Sequence, residues 1–351
     1  MENLLIITQK VDQDDDLLGF FVSWLKEFAN NFDRVFVITL GQGSHNLPKN
    51  VFIYSLGKEF RSSKIKMFIK FYWYLFRLIP KSDGVFIHMS PIFAVLSWPV
   101  ATIFRKRIVL WYLHRSVTRR LKLAEKLCYK IVTSTAESLN IKSKKIIEVG
   151  HGIDVQKFKT ERKQDNLNSR EVRILSVGRI SRIKNYETLI KAVKILKDNG
   201  LTFKVNIIGR PIMDYDIEYF DELKKMVKDL ELEGSIEFTG FIPYSGIAGY
   251  YKEADIFVNL APKGGIDKVV LEAMAAGSLT LVANEIFKRY FGDFNRFLIF
   301  KHGAAGDLAE KIQNLLNLPE QKTKHIIDYL EESVIKNHNL SDTVRKISEL
   351  L

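Results

Sequence analysis

The stretch from Ala254 to Ala283 constrains the fold more than any other part of the chain. Ala254-Asp-Ile-Phe-Val-Asn-Leu260 is a short apolar run, and Gly264-Gly265 breaks it. Val269-Val-Leu-Glu-Ala-Met-Ala-Ala276 then reads as a short helix closed by Gly277, before a second apolar run, Ser278-Leu-Thr-Leu-Val-Ala283. Runs that are apolar on both faces suit buried parallel strands, and parallel neighbours need a crossover helix between them. The segment therefore predicts a βαβ unit. A chain of such units folds as an α/β protein with doubly wound parallel sheets.

The same stretch is where a ligand can enter. Glycines let the backbone approach a ligand closely, and the helix start behind them favours an anion. Asp267 suits the N-terminal end and Gly277 the C′ position. Glu272 lies a little over one turn further on, out of reach of the anion but able to meet a group attached to it. A phosphate on the helix end, with a carboxylate accepting from a ribose hydroxyl, makes a nucleotide site. An ordinary buried helix of small residues is the plainer reading, and the flanking strands argue against it, because ligands of open α/β sheets sit at strand carboxyl ends.

The βα pattern runs through two regions. Leu4–Thr8, Arg34–Leu40, Gly84–Ser90, Arg107–His114 and Lys130–Thr135 read as strands, with a helix at Phe20–Asn30 and another carrying Arg119, Arg120, Lys122 and Lys126. Lys157–Arg170 is polar and aperiodic, which suits a linker. The pattern restarts with strands at Arg173–Gly178, Thr202–Gly209 and Ile236–Gly240, and helices at Tyr186–Asn199 and Asp216–Leu230. The expected division is 1–158, 171–335 and a terminal helix, 336–351, packing on the first domain. The start, Met-Glu-Asn-Leu-Leu-Ile-Ile, looks like a first strand and not a signal peptide.

Charge separates the halves. Residues 1–160 hold 25 Lys/Arg against 13 Asp/Glu, whereas residues 161–351 hold 28 of each, so the whole excess of +12 lies in the first half. That points to an anionic partner for the first half alone. From Lys58 to Lys81, basic residues interleave with Phe68, Phe71, Tyr72, Trp73, Tyr74 and Phe76. Such a helix suits a membrane interface, and a core helix with a solvated basic edge fits it as well. Nucleic acid is not expected, because no recognised module accompanies the charge. Ile92–Phe104 is apolar but interrupted by Pro99 and too short to span a bilayer. The single cysteine, Cys128, fits a reducing compartment. Asp12, Asp14, Asp15 and Asp16 could hold a divalent ion, but acids in a loop leading into a helix more often stabilise its start.

Four motifs, in order, closely resemble family 4 retaining glycosyltransferases over nearly the whole chain. Gly178-Arg179-Ile-Ser-Arg-Ile-Lys184-Asn185 resembles the family's Gly-Arg…Lys-Gly/Asn motif, in which Arg and Lys hold the donor diphosphate. Gly240-Phe-Ile242-Pro243 resembles the loop beside the nucleobase, and Glu148-Val-Gly-His151-Gly-Ile-Asp154 the hinge motif. Leu271-Glu-Ala-Met-Ala-Ala-Gly277 resembles the late half of a Glu-x7-Glu motif, so Glu272 maps to the ribose-binding Glu. The first Glu is replaced by Gly264. A variant with Asp-Lys in the place of Asp267-Lys268 recurs among relatives, which implies altered sugar recognition and not lost activity.

The resemblance implies the GT-B fold, two Rossmann-like domains facing across a cleft, with the C-terminal helix crossing back to the first. It implies transfer of a sugar from a nucleotide diphosphate to a hydroxyl, with retention and without a metal or other cofactor. Donor contacts are expected from Gly178, Arg179, Lys184, Gly209, Ile242, Gly264, Gly265, Ile266, Asp267, Lys268 and Glu272. His114, with Arg179 and Lys184, is assigned to catalysis, and Gly19, His88 and His151 to the acceptor side. The partners implied are a nucleotide sugar and a glycan or lipid-linked acceptor, to which the charge of the first half and the basic, aromatic run add an anionic membrane surface. The location implied is cytoplasmic, peripheral on the inner face of the membrane. A sugar-nucleotide epimerase and a non-catalytic nucleotide-sugar-binding protein remain as alternatives.

Overall fold

The structure, a computed structural model, describes residues 2–160 and 171–351. The chain divides into two units. The first comprises Met1–Asp154, Pro243–Ser245 and Asn337–Leu351, and the second Val155–Ile242 and Gly246–Lys336.

In the first unit the elements run β1 (Asn3–Val11), α1 (Phe21–Asn31), β2 (Arg34–Gln42), β3 (Val51–Ser55), α2 (Lys64–Leu78), β4 (Gly84–His88), α3 (Pro91–Ile103), β5 (Arg107–Trp111), α4 (Arg119–Leu127), β6 (Lys130–Thr133) and β7 (Ile146–Glu148). The strands form one parallel sheet in the order β3-β2-β1-β4-β5-β6-β7. Side chains alternate along each strand. Leu5 and Ile7 face a core shared with Phe71 and Leu75 of α2, Phe93 of α3 and Leu121 of α4. Leu4 and Ile6 face the opposite core, with Trp24, Leu25 and Phe28 of α1. β3 escapes the sequence reading because it is a short, half-exposed edge strand. α3 runs through Pro99 instead of stopping there.

The second unit holds α5 (Val155–Phe158), β8 (Val172–Val177), α6 (Tyr186–Asp198), β9 (Phe203–Ile208), α7 (Asp214–Asp229), β10 (Ile236–Gly240), α8 (Ile247–Glu253), β11 (Ile256–Asn259), α9 (Lys268–Ala275), β12 (Leu279–Val282), α10 (Lys288–Phe291), α11 (Asn295–Leu298) and α12 (Ala305–Leu316). Its parallel sheet has the order β10-β9-β8-β11-β12. The linker expected over 157–170 therefore starts too early. Val155–Phe158 is a helical turn with Phe158 buried against Tyr251, and 161–170 lie outside the described residues.

α13 (Glu320–His338) leads out of the second unit and α14 (Leu340–Ser348) belongs to the first. There Leu340, Val344 and Ile347 join the core beneath α1. Ile153 accepts from the Leu340 N–H and donates to the His338 carbonyl, so the return of the chain is stitched backbone to backbone. Among the described residues, no helix is long and apolar enough to cross a membrane.

Candidate functional site

Strand order locates the site. In the second unit β8 lies between β9 and β11, so successive connections leave β8 towards one edge and return towards the other. Loops at such a switch point diverge and leave a crevice at the strand carboxyl ends. The two loops concerned are 178–185, after β8, and 260–267, after β11.

The loop after β8 is tightly held. Gly178 donates its N–H to the Ile208 carbonyl, and Gly209 donates to the Gly240 carbonyl. Gly209 has φ +144°, and a Cβ there would sit 2.0 Å from the Gly178 carbonyl oxygen, so only glycine allows this approach. Tyr186 opens α6, and its hydroxyl donates to that same carbonyl at 2.9 Å. Burial, and secondarily the nearby Asp267 charge, push the Tyr186 phenol above its ordinary range, so it remains a donor. Within this frame Arg179 is exposed, and no other described residue pairs with its guanidinium. Lys184 ends a short 3₁₀ turn, and its Nζ lies 2.8 Å from Oδ2 of Asp267.

Asp267 stands at the N-cap of α9, yet its side chain does not cap the helix. Its Oδ2 instead accepts from Lys184 and, at 3.0 Å, from Nδ2 of Asn259 at the end of β11. Asp267 therefore stands at the helix start, as its sequence position implies, with its carboxylate turned to Lys184 and Asn259 and not to the helix N–H groups. Glu272 is 4% exposed. Its two oxygens meet Lys268 Nζ at 3.2 Å and the Tyr251 hydroxyl at 3.0 Å. A carboxylate has about four lone-pair directions, so capacity for further donors remains. Gly264 has φ +142°, and a Cβ there would meet nothing within 4 Å, so the space a longer side chain would fill is open. Ile266 is buried and offers only backbone, and Gly265 accepts from Asn284 Nδ2 at 3.5 Å. Ile242 lies two residues past β10, half-buried.

Direct contacts thus gather Gly178, Lys184, Gly209 and Asp267, with Lys268 and Glu272 on the helix that Asp267 begins. Three polar groups nearby were not singled out in the sequence. Asn259 positions Asp267, and its Oδ1 is buried without a hydrogen-bond partner among the described residues, as is Oγ of Ser181. Tyr251 positions Glu272. A polar residue closing the apolar run Ile-Phe-Val-Asn259 was the available signal for the first, and Tyr251 carried none.

The histidines of the first unit behave differently from one another. β5 ends at Trp111, so His114 lies in the loop beyond it, exposed, with Tyr112 edge-on at 5.5 Å. His88 closes β4 with no exposure at all. Its ring stacks on Phe21 at 4.0 Å and its Nδ1 lies 3.3 Å from Thr8 Oγ1. His151 is buried, and its N–H donates to His338 Nδ1. Gly19 donates to the Asp15 carbonyl in the loop before α1. In the acid cluster, Lys10 holds Asp12 at 3.0 Å and Asp15 at 2.8 Å, while Asp15 also accepts from the Leu17 and Leu18 N–H groups. The Lys10 and backbone bonds hold the Asp15 carboxyl below its usual range against the opposing effect of burial.

Two Rossmann-like units, the second with a cationic strand-end loop facing a glycine loop across its switch point, define the class as the GT-B fold. The chain belongs to the family of glycosyl transferases group 1, whose sequence model matches residues 157–333, about half of the chain. It is 28% identical over 222 residues to the alpha-monoglucosyldiacylglycerol synthase of Streptococcus pneumoniae, covering 59% of this chain and 48% of that protein. It is 36% identical over 144 residues to the amylovoran biosynthesis glycosyltransferase AmsK of Erwinia amylovora, covering 38% and 34%. The chain spans about half or less of these curated relatives. Anabaena HepE, solved in complex with UDP and glucose, superposes with a TM-score of 0.72 over 99% of both chains at 16% identity, a likeness of fold.

Proposed function

We propose that the protein transfers a sugar from a nucleotide diphosphate sugar to a hydroxyl of a glycan or lipid-linked acceptor, with retention, in glycan or glycolipid biosynthesis. The carrying observation is the convergence of Lys184, Asp267 and Asn259 where β8 and β11 end, beside an unpaired Arg179 and ahead of a buried Glu272. In the reaction the bond from the sugar C1 to the diphosphate oxygen breaks and a bond from C1 to the acceptor oxygen forms. The departing diphosphate takes the electron pair of the broken bond, with negative charge building on it as the bond breaks, and then takes the proton given up by the acceptor hydroxyl. Arg179 and Lys184 would meet that charge with charge-assisted hydrogen bonds, and the α9 N-terminus would add its dipole. Arg179 and Lys184 together would balance the diphosphate charge without a metal. Glu272 would accept from the ribose, and His114 would serve the sugar. The named activities of the two curated relatives, a glycolipid and a polysaccharide transfer, support the acceptor class, and the UDP and glucose held by HepE support the donor class. The basic first unit would meet an anionic membrane surface.

A panel of nucleotide sugars offered with candidate acceptors, read by release of free nucleotide diphosphate, tests this. Acceptor-dependent release with one donor is expected. Binding without release would favour a non-catalytic binding protein, and a changed sugar still attached to its nucleotide would favour an epimerase. Glu272→Gln should lower affinity for the ribonucleotide and narrow its margin over the deoxyribonucleotide. An unchanged margin in folded protein removes Glu272 from the site.

A further inference from the structure

α2, α3 and α4 cover one face of the first unit's sheet, and much of what they turn outward is hydrophobic. α2 has three faces. Phe71, Leu75 and Leu78 point into the core. Ile65, Phe68, Ile69, Trp73 and Phe76 recur at three- and four-residue steps along a second face, and each is more than half exposed. Lys66, Lys70 and Arg77 fall on the third face, alongside that row, and α2 contains no acidic residue. The Arg77 guanidinium lies over the Trp73 ring at 5.2 Å.

The surface continues onto α3. Phe68 packs on Tyr72 at 4.9 Å, and the Tyr72 hydroxyl donates to the Leu96 carbonyl at 3.1 Å across the seam. Beyond it Ile92, Trp98 and Ile103 are exposed on a helix with no charged residue. α4 packs against α3 and contributes exposed Leu123 among Arg119, Arg120, Lys122 and Lys126. The one acid on these three helices, Glu125, accepts from Ser143 Oγ at 2.6 Å, so the edge is predominantly cationic, and a hydrophobic surface of this kind marks an interaction site.

We infer that this face of α2 and α3, edged by the basic side chains of α2 and α4, docks the protein on an anionic lipid bilayer. Aliphatic and aromatic side chains enter the headgroup boundary while the flanking cations meet lipid phosphates. α2 is 15 residues long, so it lies in the interface and does not cross: at about 1.5 Å per residue it falls short of a hydrocarbon layer of about 30 Å. A second copy of the chain is disfavoured as the occupant because face-to-face docking would set lysines against lysines, which interface cores avoid. Nucleic acid would engage the cations and leave Ile65 and Ile69 in water. The inference deepens the proposed function by giving a lipid-linked acceptor its point of delivery, and it rests on that reading for the acceptor alone.

Flotation with vesicles of phosphatidylcholine mixed with phosphatidylglycerol tests it, with binding of the nucleotide diphosphate by calorimetry as the parallel measurement. At low salt the wild-type protein should float with the mixed vesicles and only weakly with pure phosphatidylcholine. Combining Lys66→Gln, Lys70→Gln and Arg77→Gln should weaken partition on the order of 100-fold, at about 1 kcal/mol for each charge. Ile69→Ser with Trp73→Ser should abolish the fraction that survives high salt. All these side chains are exposed or edge positions, so nucleotide affinity should be unchanged in both variants. Flotation without nucleotide binding would overturn the proposed function and leave the docking face standing. A wild-type protein that stays in the soluble fraction at low salt, or a triple variant that floats as well as wild type, overturns the inference. So does a concentration-dependent dimer that the same substitutions abolish without any vesicle binding.

Discussion

At the scale of single residues, Asp267 controls what Lys184 can do. An incoming diphosphate must share or take over a lysine already held at 2.8 Å by a carboxylate, whereas Arg179 waits unpaired. Arg179→Ala and Lys184→Ala should each weaken binding of the nucleotide diphosphate, by about 1.5–3 kcal/mol for a lost charge-assisted contact. Isothermal calorimetry on folded variants reads this, and two unchanged affinities would remove the loop after β8 from the site. Asp267→Asn is expected to act in the opposite direction. It frees Lys184 and removes a negative charge from the helix start, so the free nucleotide diphosphate should bind more tightly, by up to about fivefold, because a partly exposed ion pair is worth at most about 1 kcal/mol. Weaker binding in that variant would mean that Asp267 orients Lys184 more than it occupies it.

At the scale of elements, α14 is the piece of chain with the most uneven composition of faces. Leu340, Val344 and Ile347 are buried at steps of three and four, with Arg345 and Lys346 outward. Thr343 adds a buried hydrogen bond to the Val149 carbonyl at 3.0 Å. α14 thereby seals the core under α1 and contributes its share of stability to a unit nearly two hundred residues upstream. Ile347→Ala should lower the stability of the first unit by about 2–4 kcal/mol, as for other buried large-to-small changes. Tryptophan fluorescence during urea unfolding is the measurement, since all four tryptophans, Trp24, Trp73, Trp98 and Trp111, lie in that unit.

At the scale of the whole molecule, the single thiol reports on the same unit. Cys128 is buried where α4 ends, and burial pushes its pKa up to about 12 from 9.0, with Lys145 opposing weakly. The native thiol should resist alkylation at neutral pH and become reactive at the urea concentration where tryptophan emission changes. Labelling well before that transition would show local opening around α4. The sign of the pH effect follows from the same shift. The unfolded chain loses this proton near pH 9 and the folded one near 12, so the contribution is complete below 9 and is lost as pH rises through that window.

Much of this protein was determined by local sequence. Apolar runs, glycine breaks and helical periodicity are properties of neighbouring residues, so the α/β class, most strands and the glycine-loop helix at 264–277 are legible without neighbours in space. Residues with a chemical character at a strand end, such as Arg179, or on the helix behind the glycine loop, such as Glu272, stand out for the same reason. The tertiary structure alone decided which groups meet. Lys184 and Asp267 are 83 residues apart and touch only because β8 and β11 are adjacent strands. His88 and His114 look alike as histidines near strand ends, yet one is sealed beneath Phe21 and the other stands in water. For the aromatic helix α2, packing alone decided which side chains are covered, burying Phe71, Leu75 and Leu78 and leaving Ile69 and Trp73 outside. Periodicity reports that a helix has an apolar face; which of two apolar faces is covered depends on the sheet it lands on.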